Sequence, residues 1–403
     1  MLNKIHYSWF ICAGCTLLTF CTGGLGCTGF AAYLPYIMTA NGLANVQISS
    51  IIFIRSLFSV LAMMLINKFL RKYEIRRVVT LALILDAIAF VAFAVSSSFI
   101  AYCVSAALVG IAYGSGSMIP VSILISRWFN DHRGLALGIC MAATGMSAFI
   151  ASPIITRLVE RFSLSISLYI EAGFIIISAI IVWFLLRSMP SCLDMEPLGV
   201  EEGGTAQTYA AETAPKALYV AMVIGFFLLG AAANNLHSNL SVLYQSVGYD
   251  SGRIASVISM FGVSLAVGKV SCGYLSDKLG VFKACMLLFV MSTVGCALCC
   301  LAKIGSLTMA DAAVLLVGFG MSVASVSTST YACEIATEKD YPKVVSRFQT
   351  MQTAGGLVFA LIPGILADWT GDYILAYIVM LALIVISGFI LQGSFLKIRK
   401  SQN

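Results

Sequence analysis

SLAVGKVSCGYLSDKLGVFKACMLLFV, residues 264–290, decides the fold: an apolar run, a short exit carrying Asp277, Lys278 and Lys283, then a second apolar run. The runs belong to stretches 253–275 and 282–302, each long enough as a helix to cross the roughly 30 Å hydrocarbon core of a bilayer. Ten more such stretches fill the chain, at 8–37, 48–67, 78–97, 100–126, 134–156, 164–187, 217–243, 306–333, 344–366 and 373–396. Composition agrees, because 60% of the 403 residues are hydrophobic and only 10% are charged. A soluble domain carries roughly 25% charged residues, so composition disfavours a water-soluble enzyme, a nucleic-acid binder and a disordered scaffold.

The longest connection, 188–216, holds Pro190, Pro197 and Pro215 with Glu196, Glu201, Glu202 and Glu212, which reads as a solvated cytoplasmic linker. It divides the chain into an N-terminal six-helix bundle, 1–187, and a C-terminal one, 217–403. Cations near span ends stay on the cytoplasmic side. With the N-terminus inside, eighteen of the 24 Lys and Arg fall in inner segments, while Arg157, Arg161, Arg253 and Lys303 fall outside and Arg55 and Lys269 within spans. Both termini are therefore expected in the cytoplasm of a multi-pass cell-membrane protein. The net charge of +6 is a signal of topology, with no nucleic-acid partner implied. The stretch after Lys4 exceeds the 7–15 apolar residues of a signal peptide and reads as a retained first span. Most of the thirteen cysteines sit inside apolar runs, where a thiol behaves as a small hydrophobe, and the Cys296–Cys299 CxxC lacks a second ligand pair, so no metal and no cofactor are expected.

The two halves repeat each other. YLPYIMTANGLANVQIS, with Gly42, corresponds to NLSVLYQSVGYDSGRIAS, with Gly248; the basic exit NKFLRKYEIRR corresponds to GYLSDKLGVFK; and SPIITRLVERFS, with Pro153, corresponds to IPGILADWTGDY, with Pro363. Duplication of a six-helix unit in parallel orientation is an internal symmetry of secondary transporters.

On these residues the sequence resembles the major facilitator superfamily, because Gly273, Leu275, Ser276, Asp277, Lys278 and Gly280 match its GxLxDRxG loop. WFNDHRGLALGICMAATG, with Trp128, Arg133, Gly134, Gly138 and Gly145, is similar to the monocarboxylate porter group, which includes oxalate:formate antiporters. The resemblance implies an all-α integral membrane fold of twelve helices in two pseudo-symmetric bundles. It also implies a central cavity lined mainly by spans one, four, seven and ten, and transport by rocking of the halves. In the first half the loop departs from the motif, since Lys68, Lys72 and Ile75 replace its Gly, Asp and Gly. Only the second-half copy is left to act as a conformational latch, with Asp277, framed by Gly273 and Gly280, expected to engage Arg133 and the start of span five.

Charges inside spans are costly unless they face a cavity or a partner, which singles out Lys269 and Arg55. Lys269 stands where organic-anion members of the group carry an Arg that grips a carboxylate; a Lys keeps the charge without the bidentate fork. Arg55 either pairs with Asp86 of span three or offers a second cation to the substrate. Span eleven has Gln349 and Gln352 but lacks the lysine of oxalate-type members, which argues for a monoanion. In span seven, Asn235 and His237 are candidates for substrate contact, His237 also for proton transfer, with helix-to-helix hydrogen bonding as the plainer alternative. Ser327 and Tyr331 of span ten, Tyr113 of span four and Gln352 complete the set.

The sequence thus predicts a secondary active transporter, not an enzyme, that moves a small organic anion, a monocarboxylate, by alternating access. Proton symport and anion exchange both remain open, with the bilayer as its setting and a monomer as its expected unit. Export of amphipathic drug-like compounds is the alternative; it leaves Lys269 unexplained, and only Asp86 and Glu171 would supply the carboxylate that cationic-drug exporters place in the cavity.

Overall fold

The computed structural model describes residues 6–199, 209–210, 214–303 and 306–402. Lys4, Glu201, Glu202 and Glu212 lie outside the described residues. Among the described residues twelve helices are long and apolar enough to cross a membrane. The chain divides into two compact units, Met1–Ala206 and Gln207–Asn403, with the division falling inside the 188–216 connection.

In the first unit, span one is α1 (Tyr7–Thr19), a π-helical segment Phe20–Thr28, a 3-10 turn Gly29–Ala32 and α2 (Leu34–Asn41). Then come α3 (Asn45–Lys72), α4 (Ile75–Val95), α5 (Phe99–Gly116) and α6 (Met118–Trp128), which together form span four, α7 (Arg133–Arg161) and α8 (Leu164–Leu185). The second unit has α9 (Lys216–Ser238) and α10 (Leu240–Ser246) as span seven, followed by α11 (Ser251–Leu279), α12 (Val281–Cys300) and α13 (Leu307–Ile335). It ends with α14 (Tyr341–Val358), α15 (Ile362–Thr370) and α16 (Ile374–Gln402).

Local chemistry sets the ends. Ser98, Ser163, Asp250 and Ser306 each accept the N–H of the third residue on, at 3.3, 3.2, 3.1 and 3.4 Å, covering donors that an α-helix start leaves open. Gly280, at φ 81°, turns the chain from α11 into α12 in a conformation few other residues adopt. Span one reads as one plain helix in sequence. It widens at Phe20–Thr28 because FCTGGLGCT supplies three glycines where the i→i−4 ladder must loosen.

The two proline-bearing spans also differ. Pro153 lies inside a continuous α7, whereas span eleven breaks between Val358 and Ile362, and Pro363 sits in the first turn of α15, where its missing N–H costs nothing.

Helix pairings recur in both units: α3 with α5 and α11 with α13, α4 with α8 and α12 with α16, α1 with α7 and α9 with α14. The α3–α5 pair is so close that a Cβ at Gly110 would run into the Arg55 carbonyl, and α11–α13 repeats the device, since a Cβ at Gly318 would stand 2.8 Å from the Phe261 carbonyl. Outward faces are apolar, as at Leu81, Phe184 and Phe389, which suits lipid rather than water. All thirteen cysteines are free.

The connection is anchored to each unit at its own end. Leu198 bridges to Phe129, its carbonyl accepting from the N–H groups of Asn130 and Asp131 at 2.9 and 3.0 Å. At the other end the N–H of Ala214 donates to the Ile335 carbonyl at 2.9 Å and Tyr209 meets Tyr341 edge-on at 5.4 Å. The expected solvated linker therefore has both described ends pinned by backbone hydrogen bonds.

Candidate functional site

In the second unit the central feature is Lys269, 5% exposed on α11. Ten residues separate it from Leu279, about 15 Å at roughly 1.5 Å per residue, too far for its ammonium to reach the helix end by snorkelling. His237, exposed near the end of α9, stacks on Phe261 of α11 with ring centroids 5.2 Å apart and lies within electrostatic reach of Lys269. Ser264, five residues before Lys269, holds α11 to α13 through a 2.7 Å hydrogen bond to the Leu315 carbonyl. The structure places Lys269 and His237 within electrostatic reach of each other.

The other residues of this unit have more structural duties than the sequence suggested. Asn235 is buried, and its amide donates to the carbonyls of Ala231 at 2.7 Å and Gly356 at 3.4 Å, joining α9 to α14. Gln352 donates to the Ala324 carbonyl at 2.5 Å and Gln349 to the Thr328 hydroxyl at 3.4 Å, both tying α14 to α13. Tyr331 is fully buried between Phe226 and Phe395, at ring distances of 6.2 and 5.0 Å, and beside the Cys285 thiol. Its place on α13 turns the Tyr331 ring toward α9, α12 and α16. Ser327 is buried, and its hydroxyl has no hydrogen-bond partner among the described residues.

In the first unit Arg55 does not pair with Asp86. Its guanidinium donates to the carbonyls of Gly26 and Cys27, at 3.4 and 3.1 Å, in the widened part of span one. Carbonyls freed by a π-helical stretch are natural acceptors for a planar donor fork. Tyr113, half-buried on α5, lies within reach of the Arg55 charge. Asp86 is fully buried on α4, and both its oxygens face Gly26, where an added Cβ would stand 3.4 and 3.6 Å from them. Glu171, 7% exposed on α8, accepts a 2.6 Å hydrogen bond from Tyr33, whose hydroxyl also meets Ser167 at 3.0 Å. Sequence reading missed the arrangement of Tyr33, Glu171 and Asp86; its one signal was the run of glycines in FCTGGLGCTGF.

The latch residues fall in different units. Asp277 is exposed in the last turn of α11, Gly273 is buried one turn earlier and Gly280 caps the helix, while Arg133 opens α7.

Two six-span units with matching helix pairings and a few buried charges define a multi-pass membrane carrier. Residues 16–216 and 222–402 match the Major Facilitator Superfamily, and the chain belongs to it. Among curated relatives, Monocarboxylate transporter 13 of Rattus norvegicus is 23% identical over 297 residues, covering 71% of this chain and 64% of its own. Monocarboxylate transporter 12 of Homo sapiens is 22% identical over 289 residues, covering 64% and 55%. The chain thus spans less than two thirds of these relatives' length. Among solved structures, an outward-facing bacterial homologue of the iron transporter ferroportin superposes with a TM-score of 0.74 at 16% identity, over 98% of this chain and 100% of its own. The human organic anion transporter MFSD10 (TETRAN) does so at 0.72 and 14% identity, over 95% and 98%. These likenesses show the fold; the cargoes of the two transporters differ in name, an organic anion and iron, so the cargo of this chain has to be argued from its own residues.

Proposed function

We propose that this carrier moves a small organic monoanion, a monocarboxylate, across the cell membrane by alternating access, with both termini in the cytoplasm. The observation that carries this reading is Lys269, a cation buried at depth in α11 and within electrostatic reach of His237. A carboxylate bound to Lys269 neutralises it and lowers the cost of enclosing a charge in low dielectric. That gives the substrate a way to license reorientation. A monoanion suffices, because Arg55 is engaged with backbone carbonyls and span eleven offers Gln349 and Gln352 in place of a cation. The names of the curated relatives support the same substrate class.

The test is uptake of radiolabelled mono- and dicarboxylates into proteoliposomes by the wild type and Lys269→Ala. Saturable uptake of a monocarboxylate that the variant loses supports the reading. If no carboxylate moves, or the variant transports normally, the reading fails and export of amphipathic compounds takes its place.

A further inference from the structure

The outward surface of the N-terminal unit changes chemistry abruptly at the turn between α3 and α4. Leu61, Met64 and Leu65 of α3 are exposed, and seven residues on from each, on the same face of the helix, stand the exposed Lys68, Arg71 and Lys72. α4 repeats the pattern in reverse, with Arg77 exposed at its start and Leu81, Ile84 and Ile88 exposed on the turns that follow. Only Tyr73 and Glu74 separate the two helices, so the cations are carried on helix ends and not on a loose loop. Glu74, the one acid of NKFLRKYEIRR, is held in its ion pair with Arg77.

A third helix completes this rim. The Arg76 guanidinium lies over the Trp183 ring of α8, 4.2 Å from its centroid, and the Lys72 ammonium stands 5.3 Å from the Tyr73 ring. Tryptophan and tyrosine settle at the level of lipid headgroups, so Trp183 and Tyr73 place the rim at the membrane surface, with Ile180 and Phe184 of α8 exposed beside it. The C-terminal unit does not repeat the arrangement. On α11 the exposed Val263 and Val267 lead to Tyr274, which Lys278 covers at 4.8 Å, and the exposed Asp277 beside that lysine offsets its charge.

We propose that the rim formed by Lys68, Arg71, Lys72 and Arg76 binds the phosphate headgroup of an anionic phospholipid whose acyl chains lie along the exposed apolar stripes of α3 and α4. Charge complementarity selects this occupant. Cations set directly above apolar, outward-facing surface suit a ligand that is negative at one end and apolar along its length. A zwitterionic headgroup would bring its own cation against the rim, and a soluble phosphate would leave the stripes uncovered. The site rests neither on the substrate at Lys269 nor on the orientation of the chain, because either leaflet of a vesicle can supply the lipid.

Trp183 is the built-in reporter. The full chain is reconstituted in phosphatidylcholine vesicles containing a minor fraction of phosphatidylglycerol or phosphatidylcholine brominated on the acyl chains, and the tryptophan quenching that Trp183→Phe removes is assigned to this rim. A basic residue beside an anionic surface gives about a fivefold preference, so three or four together should let brominated phosphatidylglycerol quench at a mole fraction at least about tenfold lower than brominated phosphatidylcholine. Lys68→Gln/Arg71→Gln/Lys72→Gln should abolish that preference. Lys397→Gln/Arg399→Gln/Lys400→Gln removes as many exposed cations from the end of α16 and should keep it. Equal quenching of the wild type by the two lipids overturns the proposal without any variant, so a triple variant that fails to fold does not shelter it. Equal loss in both triple variants overturns it in favour of diffuse surface charge, and reversal of the quenching by inorganic phosphate at constant ionic strength overturns it in favour of a soluble-anion site.

Discussion

The two units use the same helix pairings and bury opposite charges. The C-terminal unit sets a cation, Lys269, into α11 within electrostatic reach of the exposed His237, whereas the N-terminal unit encloses two acids, Asp86 and Glu171, and ties its cation Arg55 to backbone. A duplicated scaffold fixes where helices touch, and single substitutions on it then decide which charges each copy buries. The loops after the second span of each half diverge in the same manner: GYLSDKLG keeps Asp277 and Gly280, while NKFLRKYEIRR holds five cations and one acid, Glu74. That acid forms an exposed 3.5 Å ion pair with Arg77, so it is spent locally.

The comparison is broken most severely at Lys269. Lys269→Ala should lower carboxylate transport at least about thirtyfold, since losing one partner of a desolvated charge contact costs roughly 2–5 kcal/mol, and Lys269→Arg should keep part of it. Kinetics across a concentration series in proteoliposomes would check this. The N-terminal counterpart is Arg55→Leu, which removes two charge-assisted donors from the Gly26 and Cys27 carbonyls. It should destabilise the protein by about 2–3 kcal/mol. Thermal unfolding in detergent reads that loss, with transport impaired in proportion.

Helix contact gives a gentler pair. Gly110→Ala should cost about 1–3 kcal/mol because its Cβ would run into the Arg55 backbone, whereas Gly262→Ala on α11, with nothing within 4 Å, should be neutral or slightly stabilising. The smallest effect concerns a loop. Lys303 hydrogen-bonds Asp372 and holds its carboxyl below the usual carboxylate range, assisted by the Ile374 N–H. A depressed carboxyl stabilises the fold above the ordinary Asp value of about 4, and that contribution fades as pH falls below it. Lys303→Met should therefore lower stability by no more than about 1 kcal/mol at pH 7 and make no difference near pH 2, in melts recorded across that range.

Span number, lengths and the twofold repeat were legible because they depend on runs of apolar residues that no tertiary contact has to complete. The depth of Lys269 was legible for the same reason. Direction around a helix was not: Tyr331 and Ser327 lie one turn apart on α13, and only the packing of Phe226 and Phe395 shows that the tyrosine turns into the bundle. The backbone contacts of Arg55 were not legible for a different cause. Its acceptors are main-chain carbonyls, which carry no sequence signature, and they become available through a π-helical stretch that a hydropathy run does not reveal.

The central claim is the division between the units, with the anion held by Lys269 in the C-terminal unit and not by the buried acids of the N-terminal one. Its most direct test is pyruvate counterflow at equal pH in proteoliposomes bearing wild type, Lys269→Ala or Asp86→Asn. The account predicts exchange by the wild type and Asp86→Asn and almost none by Lys269→Ala. Exchange by Lys269→Ala at the wild-type rate would contradict it.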